Sequence, residues 1–423
     1  MAAGGRYVVG IDLGTTNSAL AHADTEKGAP KIEMDAVLQL IAPGEVAPRP
    51  TLPSFLYLAG EHELAAGALA LPWKGDAESG RVVVGELART QGAQVPARLV
   101  SSAKSWLCHP RVDRLQPILP WGEAAGTEMQ RRISPVDASA AYLGHLAGAW
   151  KSATGRTLAD EDVVLCVPAS FDEVARELTL RAAEREGLRP TLLEEPQAAF
   201  YSWLADHTVT WREHLSVGDT VLVFDVGGGT TDFSLIRVNP DETFERTAVG
   251  DHLLLGGDNM DLALARRVEG RLTRGGRLDP QGFQALVQAC RVAKERILSE
   301  PDRAAWTITV AGRGSKLIGG SLRDELTRQE VEELVLDGFF PRVEADAAPE
   351  RRRAGIQEFG LPYAADPGIT RHAASFLRLH QARPTAVLWN GGVLKSEAIR
   401  GRILEVLAGW LGKVPSVLEN QHP

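Results

Sequence analysis

The chain has 423 residues, of which 44% are hydrophobic and 24% charged, a composition typical of a globular protein with two or more cores. Its net charge of -9 argues against a nucleic-acid partner, because phosphate contacts require clustered lysines and arginines. Three widely spaced cysteines indicate free thiols in a reducing compartment, and no apolar run is long enough to cross a membrane. The sequence therefore predicts a cytoplasmic protein without nucleic-acid or membrane partners.

Apolar runs and helical periodicity predict an α/β protein. In the first half we expect strands over 7–13, 16–23 and 32–41, an exposed proline-rich crossing over 42–53, short strands over 55–58 and 81–85, a loop over 73–80, a helix over 134–150, a strand over 163–167, a helix over 171–186, a strand over 191–195 and a helix over 196–203. In the second half we expect strands over 221–224 and 233–238, helices ending near 272 and over 283–298, a strand over 306–310, a turn-rich return over 313–322, a helix over 329–339, an inserted segment over 341–366, a helix over 370–379, a strand over 386–389 and a helix over 399–410. Ser134 and Thr327 are predicted N-caps, and Glu330 completes a capping box.

One stretch, residues 223–235, reads V-F-D-V-G-G-G-T-T-D-F-S-L, which is typical of a strand, a tight glycine turn and a second strand. Glycines let a backbone approach a ligand closely, with its N–H groups turned inward. The hydroxyls of Thr230 and Thr231 add donors, and the flanking Asp225 and Asp232 carboxylates suit a hydrated cation. The stretch therefore predicts a turn that binds a polyphosphate with its magnesium ion.

The same phrase occurs at residues 11–20, which read I-D-L-G-T-T-N-S-A-L. A repeat at this distance predicts a duplicated lobe, with a nucleotide held in the cleft between the two lobes. A glycine run alone is more often a simple turn or hinge, and only the pairing favours phosphate binding. Neither the lysine-bearing P-loop pattern nor a Gly-x-Gly-x-x-Gly between a strand and a helix is present.

Five phrases in a fixed order resemble the ATPase domain of the seventy-kilodalton heat-shock chaperones, which share the actin and hexokinase fold. They are G-I-D-L-G-T-T-N-S from Gly10, A-K-S-W-L from Ala103, V-P-A-S-F from Val167 together with E-E-P-Q-A-A from Glu194, F-D-V-G-G-G-T-T-D from Phe224, and N-G-G from Asn390. The likeness covers almost the whole chain. It implies an actin-like α/β fold of two lobes, each with a duplicated ribonuclease-H-like core, and a nucleotide in the central cleft.

The resemblance implies roles that the residues alone leave open. Asp12 and Asp225 would hold magnesium through its waters, and Lys104 would be a catalytic lysine beside a water oriented by Glu195. Taken singly, Lys104 is more typical of a surface lysine, and Glu195 of a carboxylate at a helix N-terminus. Thr230 is a further predicted catalytic residue. The predicted nucleotide contacts are Gly14, Thr15, Thr16, Gly227, Gly228, Gly229, Thr230, Thr231, Gly256, Gly257, Lys294, Arg296, Ser299, Gly391, Gly392 and Lys395.

Two positions are expected to connect this site with another domain, and two others depart from the family pattern. Pro168 and Arg176 match the relay between the nucleotide site and a substrate-binding domain, although a strand-ending proline and an exposed helix arginine would have the same pattern. Lys395 stands where the family usually stacks an arginine on adenine. Thr191 stands where J-domain partners usually find an arginine.

The expected division is a first lobe core over 1–48 and 134–215 with an insert over 49–133, and a second lobe core over 216–254 and 327–423 with an insert over 255–326. The likeness stops at residues 420–423, where family members continue into a linker and a peptide-binding domain. We therefore expect no substrate-binding domain in this chain. The segment 341–366 is longer than the usual family connection.

The resulting hypothesis is a chaperone motor domain that binds ATP or ADP with magnesium, with potassium as a further candidate ion, and hydrolyses ATP slowly. Its expected partners are a substrate-binding domain, a J-domain co-chaperone and a nucleotide exchange factor. Two alternatives on the same fold stay open. One is a small-molecule kinase, which needs a base aimed at a substrate hydroxyl, and the other is a non-hydrolysing nucleotide-sensing assembly module.

Overall fold

The structure is a computed structural model that describes residues 5–28, 31–75, 81–121, 131–311, 321–350, 361 and 363–420. The chain divides into two compact units, with the main boundary between Glu195 and Pro196. Leu361 groups with the first unit. The lobe and insert limits expected from the sequence stay predictions.

Among the described residues, the first unit contains a mixed sheet, two smaller sheets and four α-helices. Its strands are β1 (Tyr7–Leu13), β2 (Asn17–Asp24), β3 (Glu33–Asp35), β4 (Val37–Ala42), β5 (Glu45–Arg49), β6 (Leu52–Pro53), β7 (Leu56–Leu58), β8 (Val82–Val84), β9 (Leu99–Val100), β10 (Asp162–Val167) and β11 (Thr191–Glu194). Its helices are α1 (Glu86–Gln94), α2 (Ala103–Trp106), α3 (Pro135–Thr154) and α4 (Glu173–Arg185). The main sheet has the order β11-β10-β1-β2-β3, with β6 also paired to β2.

Local sequence explains the long helix of this unit. Ser134 caps α3 by accepting a hydrogen bond from the Asp137 N–H, and Pro135 occupies its first turn. The helix buries Leu143 and Trp150, among other apolar residues, and ends at Gly155 in the left-handed region. These features confirm the helix predicted over 134–150.

The exposed crossing predicted over 42–53 is wrong. Strand β5 pairs with β4, and β6 places Leu52 against β2, fully buried. Pro48 fits in a two-stranded sheet because an edge strand tolerates a missing N–H group. The strand predicted over 32–41 is divided, since β3 extends the main sheet while β4 belongs to the separate pair with β5.

In the described part of the chain, the second unit contains a five-stranded mixed sheet, a two-stranded sheet and seven α-helices, of which α5 begins at the unit boundary. Its helices are α5 (Glu195–Asp206), α6 (Trp211–His214), α7 (Gly257–Leu272), α8 (Pro280–Ser299), α9 (Arg328–Glu332), α10 (Ile369–Leu379) and α11 (Glu397–Leu411). Its strands are β12 (Thr220–Val226), β13 (Thr231–Val238), β14 (Phe244–Val249), β15 (Ala305–Ala311), β16 (Ser321–Thr327), β17 (Ala386–Asn390) and β18 (Ser416–Leu418). The main sheet has the order β14-β13-β12-β17-β18, and β15 pairs with β16.

The two main sheets follow the same plan. In each, one central strand is antiparallel to its neighbour on one side, and that neighbour is antiparallel to the strand beyond it. On the other side the central strand is parallel to its neighbour, which is parallel to the strand beyond it. Asp12 is the last but one residue of the central strand of the first sheet and stands opposite Cys166, and Asp225 holds the same place in the second sheet opposite Asn390. This shared plan confirms the duplication that the repeated phrase predicted.

Candidate functional site

The first hairpin turn joins β1 to β2 and carries Gly14, Thr15 and Thr16. Ser54 anchors this turn twice: its hydroxyl donates to the Gly14 carbonyl at 2.7 Å, and its N–H donates to the Thr16 carbonyl at 2.8 Å. Thr15 is buried. No motif pointed to Ser54, because its role depends on the pairing of β6 with β2.

Lys104 and Glu195 form an ion pair, although they are far apart in sequence. Their side chains are 9% and 15% exposed, so the pair is largely shielded from solvent. Lys104 lies on the four-residue helix α2, which follows Ser102 in the left-handed region at φ 54°. Its Nζ also lies 5.9 Å from the centre of the Phe171 ring. The fold thus holds the predicted catalytic lysine and the predicted water-orienting carboxylate together.

Asp12 belongs to the same cluster of charges. The pKa of Asp12 is raised to about 6. Desolvation by the surrounding protein is the largest cause, the Glu195 carboxylate also raises the pKa, and the Lys104 ammonium lowers it. The side chain still reaches solvent, so a hydrated ion can approach it. Burial also raises the pKa of the neighbouring Cys166 thiol, and the Asp12 and Glu195 carboxylates add to that effect, so the thiol stays neutral at physiological pH.

We expect magnesium-dependent nucleotide affinity to fall as the pH drops through about 6. A proton on Asp12 competes with the cation, and the raised pKa places this competition close to neutral pH. Titration calorimetry with magnesium and ADP between pH 5 and 8 would measure it. In Asp12→Asn the pH dependence should flatten and affinity should be low throughout. An unchanged pH profile in that variant would contradict the role of Asp12.

Arg176 joins the segment after β10 to the strand that precedes Glu195. Its guanidinium donates to the Phe171 carbonyl at 3.1 Å and to Glu194 Oε1 at 2.8 Å. The Phe171 N–H in turn donates to the Pro168 carbonyl at 3.1 Å. The predicted relay residues therefore belong to one network of hydrogen bonds, which leads to the residue beside Glu195.

The second hairpin turn joins β12 to β13 and carries Gly227, Gly228, Gly229 and Thr230. The Gly227 N–H donates to the Thr230 carbonyl at 2.9 Å and closes the turn. At its base, Asp225 and Asp232 stand directly opposite each other on the two strands.

Both carboxylates at this base are buried. The Asn390 side-chain amide donates to Asp225 Oδ2 at 2.9 Å and fixes its orientation. Two adjacent buried carboxylates repel each other unless a cation lies near them, so this pair fits a hydrated magnesium ion. Among the described residues, no group of three or more His, Cys, Asp or Glu side chains is arranged to hold a metal ion.

The loop before α7 is fastened to the second hairpin. The N–H groups of Gly257 and Asp258 donate to the carbonyls of Gly227 and Gly228, at 3.1 and 2.7 Å. The Thr231 hydroxyl donates to the Leu255 carbonyl at 2.7 Å. The predicted contacts Gly256 and Gly257 thus lie beside the glycine turn, whereas the donor proton of Thr231 is used inside the protein.

Helices α7 and α8 share a cluster of buried charges. Lys294 Nζ lies 2.7 Å from Asp261 Oδ1 and donates to the Gly257 carbonyl at 3.1 Å. Arg291 binds Asp258 at 2.5 Å and Asp261 at 2.8 Å. These contacts confirm that Arg291 and Lys294 share one face of α8. They bring Lys294 to the Gly257 loop, and sequence reasoning gave Arg291 no role there.

The other predicted adenosine contacts are placed differently. Arg296 is 60% exposed and pairs with Glu300 on its own helix, at 3.3 Å. Ser299 is exposed and donates to the Arg296 carbonyl at 3.4 Å. Neither side chain joins Lys294 in the cluster. Lys395 is exposed at the end of the 3-10 turn Gly392–Lys395.

Gly391 packs closely against the Asp225 carboxylate. Its φ of 89° lies in the region that favours glycine, and a Cβ there would lie 2.7 Å from Asp225 Oδ1 and overlap the Val226 carbonyl. Two residues of the N-G-G phrase therefore position Asp225: the Asn390 amide donates a hydrogen bond to it, and Gly391 allows the backbone to approach it closely. Gly392 is exposed beside it.

Two equivalent mixed sheets, each with a phosphate-type hairpin on its central strand, place the chain in the actin-like class of ATPase folds. A sequence profile described as Hsp70 protein matches residues 76–347, more than half of the chain. The chain belongs to the Hsp70 family. In the described part of the chain, no helix has the length and apolar character needed to span a membrane.

Curated relatives agree with this assignment. A protein named Chaperone protein HscA homolog from Pseudomonas paraeruginosa is 31% identical over 83% of this chain and 49% of its own length. Homologs of the same name from Azotobacter vinelandii and Bordetella pertussis are 30% and 29% identical, over 84% and 78% of this chain and 54% and 46% of their own lengths. The chain thus spans about half the length of the curated relatives it matches.

Proposed function

We propose that this chain is the nucleotide-gated motor domain of a chaperone, which binds ATP and ADP with magnesium and hydrolyses ATP slowly. The observation that carries the proposal is the shielded Lys104–Glu195 ion pair beside Asp12, at the end of the strand that carries the first hairpin. Family membership and the fastened second hairpin support it. Each predicted phosphate turn thus has a rigid support within its own unit.

The chemistry follows from charge placement, since phosphoryl transfer to water needs positioning more than covalent catalysis. The N–H groups of Gly228 and Gly229 are donors suited to phosphate oxygens, whereas the Gly227 N–H closes the turn. Asp12, and Asp225 with its neighbour Asp232, would hold the hydrated magnesium ion, which neutralises phosphate charge when bound.

Lys104 pairs with Glu195 and neutralises its charge. A terminal phosphate that attracts the ammonium group would release the Glu195 carboxylate. That carboxylate can then accept a hydrogen bond from the attacking water and orient it. Arg176 keeps the preceding residue, Glu194, in place through its 2.8 Å bond. The proposed reaction therefore begins with an exchange of partners at Lys104.

The proposal extends to the setting of the domain. Potassium is a further candidate ion, and the cytoplasm is the proposed compartment. The proposed partners are a substrate-binding domain, a J-domain co-chaperone and a nucleotide exchange factor. Pro168 and Arg176 are the proposed relay toward the substrate-binding domain, because their hydrogen bonds lead to the residue beside Glu195.

Titration calorimetry with ATP and ADP, together with a phosphate-release assay, tests the function. We expect binding of both nucleotides and slow, magnesium-dependent release of phosphate. Absence of binding would overturn the proposal. Binding without turnover, with ATP-dependent light scattering, would favour an assembly module. Phosphorylation of a sugar in a substrate screen would favour a kinase.

A further inference from the structure

Segment 341–366, which is longer than the usual family connection, has two described arms that are held by different parts of the second unit. Its leading arm, residues 341–350, lies against α10 and α11. The Thr370 hydroxyl donates to the Pro341 carbonyl at 2.6 Å, and the Trp410 indole donates to the Val343 carbonyl at 2.7 Å. Arg342 pairs with Glu405 at 2.7 Å. The leading arm is therefore fixed to the body of the unit.

Asp366 ties the two arms together. Its buried carboxylate accepts hydrogen bonds from the Glu350 N–H on the leading arm at 2.7 Å, from the Gly368 N–H at 2.8 Å, and from the Arg371 guanidinium at 2.7 Å through two nitrogens. Burial alone would raise the pKa of Asp366, but the Arg371 and backbone hydrogen bonds lower it to about 2. The carboxylate thus stays charged and the connection holds at physiological pH.

The returning arm, residues 363–368, runs from this connection to the loop before α7. The Ala364 N–H donates to the Leu254 carbonyl at 3.1 Å. Tyr363, the residue before Ala364, is half-buried. Burial raises the pKa of its phenol, the Asp258 carboxylate adds to that rise, and Arg291 lowers it. The arm therefore contacts the loop at Leu254.

That loop is the same one that is fastened to the glycine turn. The Thr231 N–H donates to the Leu253 carbonyl at 3.0 Å on one side of the loop, while the Leu254 carbonyl faces the returning arm. Further along, the Asp258 N–H donates to the Gly228 carbonyl at 2.7 Å. A continuous set of contacts thus joins the returning arm, the loop over 253–258 and the turn at Gly227 and Gly228.

We propose that the returning arm braces the loop over 253–258 and so sets nucleotide affinity, with Tyr363 as the positioning residue. This inference rests on the proposed nucleotide site at Gly227, Gly228 and Gly257. The arm holds the loop in the position that presents its N–H groups to the glycine turn. Loss of the brace loosens the turn and speeds nucleotide release, while Lys104 and Glu195 stay in place.

The experiment compares Tyr363→Ala and Tyr363→Leu in the full chain. In Tyr363→Ala we expect the Kd for ADP to rise about tenfold through a faster release rate, within the range of coupling between neighbouring sites. The rate of hydrolysis at saturating ATP should stay within about twofold, because Lys104 and Glu195 lie in the first unit, whereas the returning arm belongs to the second. Tyr363→Leu keeps apolar volume but loses the ring and should show an intermediate rise, which guards against misfolding of the alanine variant.

Hydrogen exchange of residues 250–258 without nucleotide provides an independent readout. Exchange should quicken in Tyr363→Ala and stay close to wild type in the matched control Tyr201→Ala, whose ring is 47% exposed on α5. Unchanged exchange in both Tyr363 variants would overturn the inference, as would unchanged nucleotide release. A wild-type chain that binds no nucleotide would instead overturn the proposed function, and the exchange experiment would still test the brace.

Discussion

Replacing Lys104 with alanine is expected to slow ATP hydrolysis by ~10²–10³-fold, the usual effect of removing one preorganised charged group from an active site. The ammonium is the charge in the first unit that pairs with Glu195 beside Asp12. Nucleotide binding should survive, because the glycine turns and the Asp12 and Asp225 carboxylates, which we propose hold magnesium, are unchanged. A single-turnover phosphate-release assay and titration with ADP measure the two effects separately.

The matched control is Lys151→Ala, which removes an exposed lysine at the last turn of α3. It should leave the hydrolysis rate and the affinity for ADP unchanged, since exposed surface charges are screened by salt. Because Lys104 and Glu195 are largely shielded, thermal denaturation should accompany the assay to show that the variant is folded. Hydrolysis at the wild-type rate in a folded Lys104→Ala protein would remove the main support for an ATPase.

Replacing Gly256 with alanine is expected to lower the affinity for ATP and ADP more than tenfold and to destabilise the protein by about 1–3 kcal/mol, as overpacking of a filled site does. A Cβ at this position would lie 2.6 Å from the Gly227 carbonyl oxygen and 2.7 Å from that of Gly228. Both carbonyls belong to the phosphate turn, so the turn has to move. Titration calorimetry and urea unfolding would measure the two losses.

Gly270→Ala is the control for that variant, because Gly270 lies on the same helix with open space around its Cβ position. Alanine should stabilise the helix there by roughly 0.5–1 kcal/mol, since glycine loses more conformational freedom on folding. Affinity for nucleotide should not change. Equal binding by the Gly256→Ala and wild-type proteins would show that the turn is not part of the site.

The sheets could be predicted from sequence because their signals are local. An apolar run such as 221–224 and an alternating run such as 233–238 each indicate a strand without reference to the rest of the chain, and the repeated phrase indicates that two sheets share a plan. The segment 42–53 failed for the opposite reason. Its prolines suggest a loop, but the partners β4 and β2 that accept β5 and β6 are set by tertiary structure.

The site divides in the same way. Motifs gave Lys104 and Glu195, and the structure places them in contact. Side chains on α8 were harder to assign. Lys294 and Arg296 are two positions apart, so they lie on different faces of the helix, and Arg296 lies on the exposed face. The pairing of Lys294 with Asp261 depends on how α7 packs against α8, which no spacing within one helix predicts.

The common plan of the two sheets gives each half of this protein an internal reference. Cys166 and Asn390 are counterparts, since each stands on a neighbouring parallel strand, opposite an aspartate that is the last but one residue of a central strand. In the first unit Asp12 stands opposite a thiol. In the second unit Asp225 stands opposite the Asn390 carboxamide, which donates a hydrogen bond to it at 2.9 Å. The two sheets thus differ in the side chain at one shared register position, so exchanging these two side chains between the units would test how far the different environments of Asp12 and Asp225 depend on it.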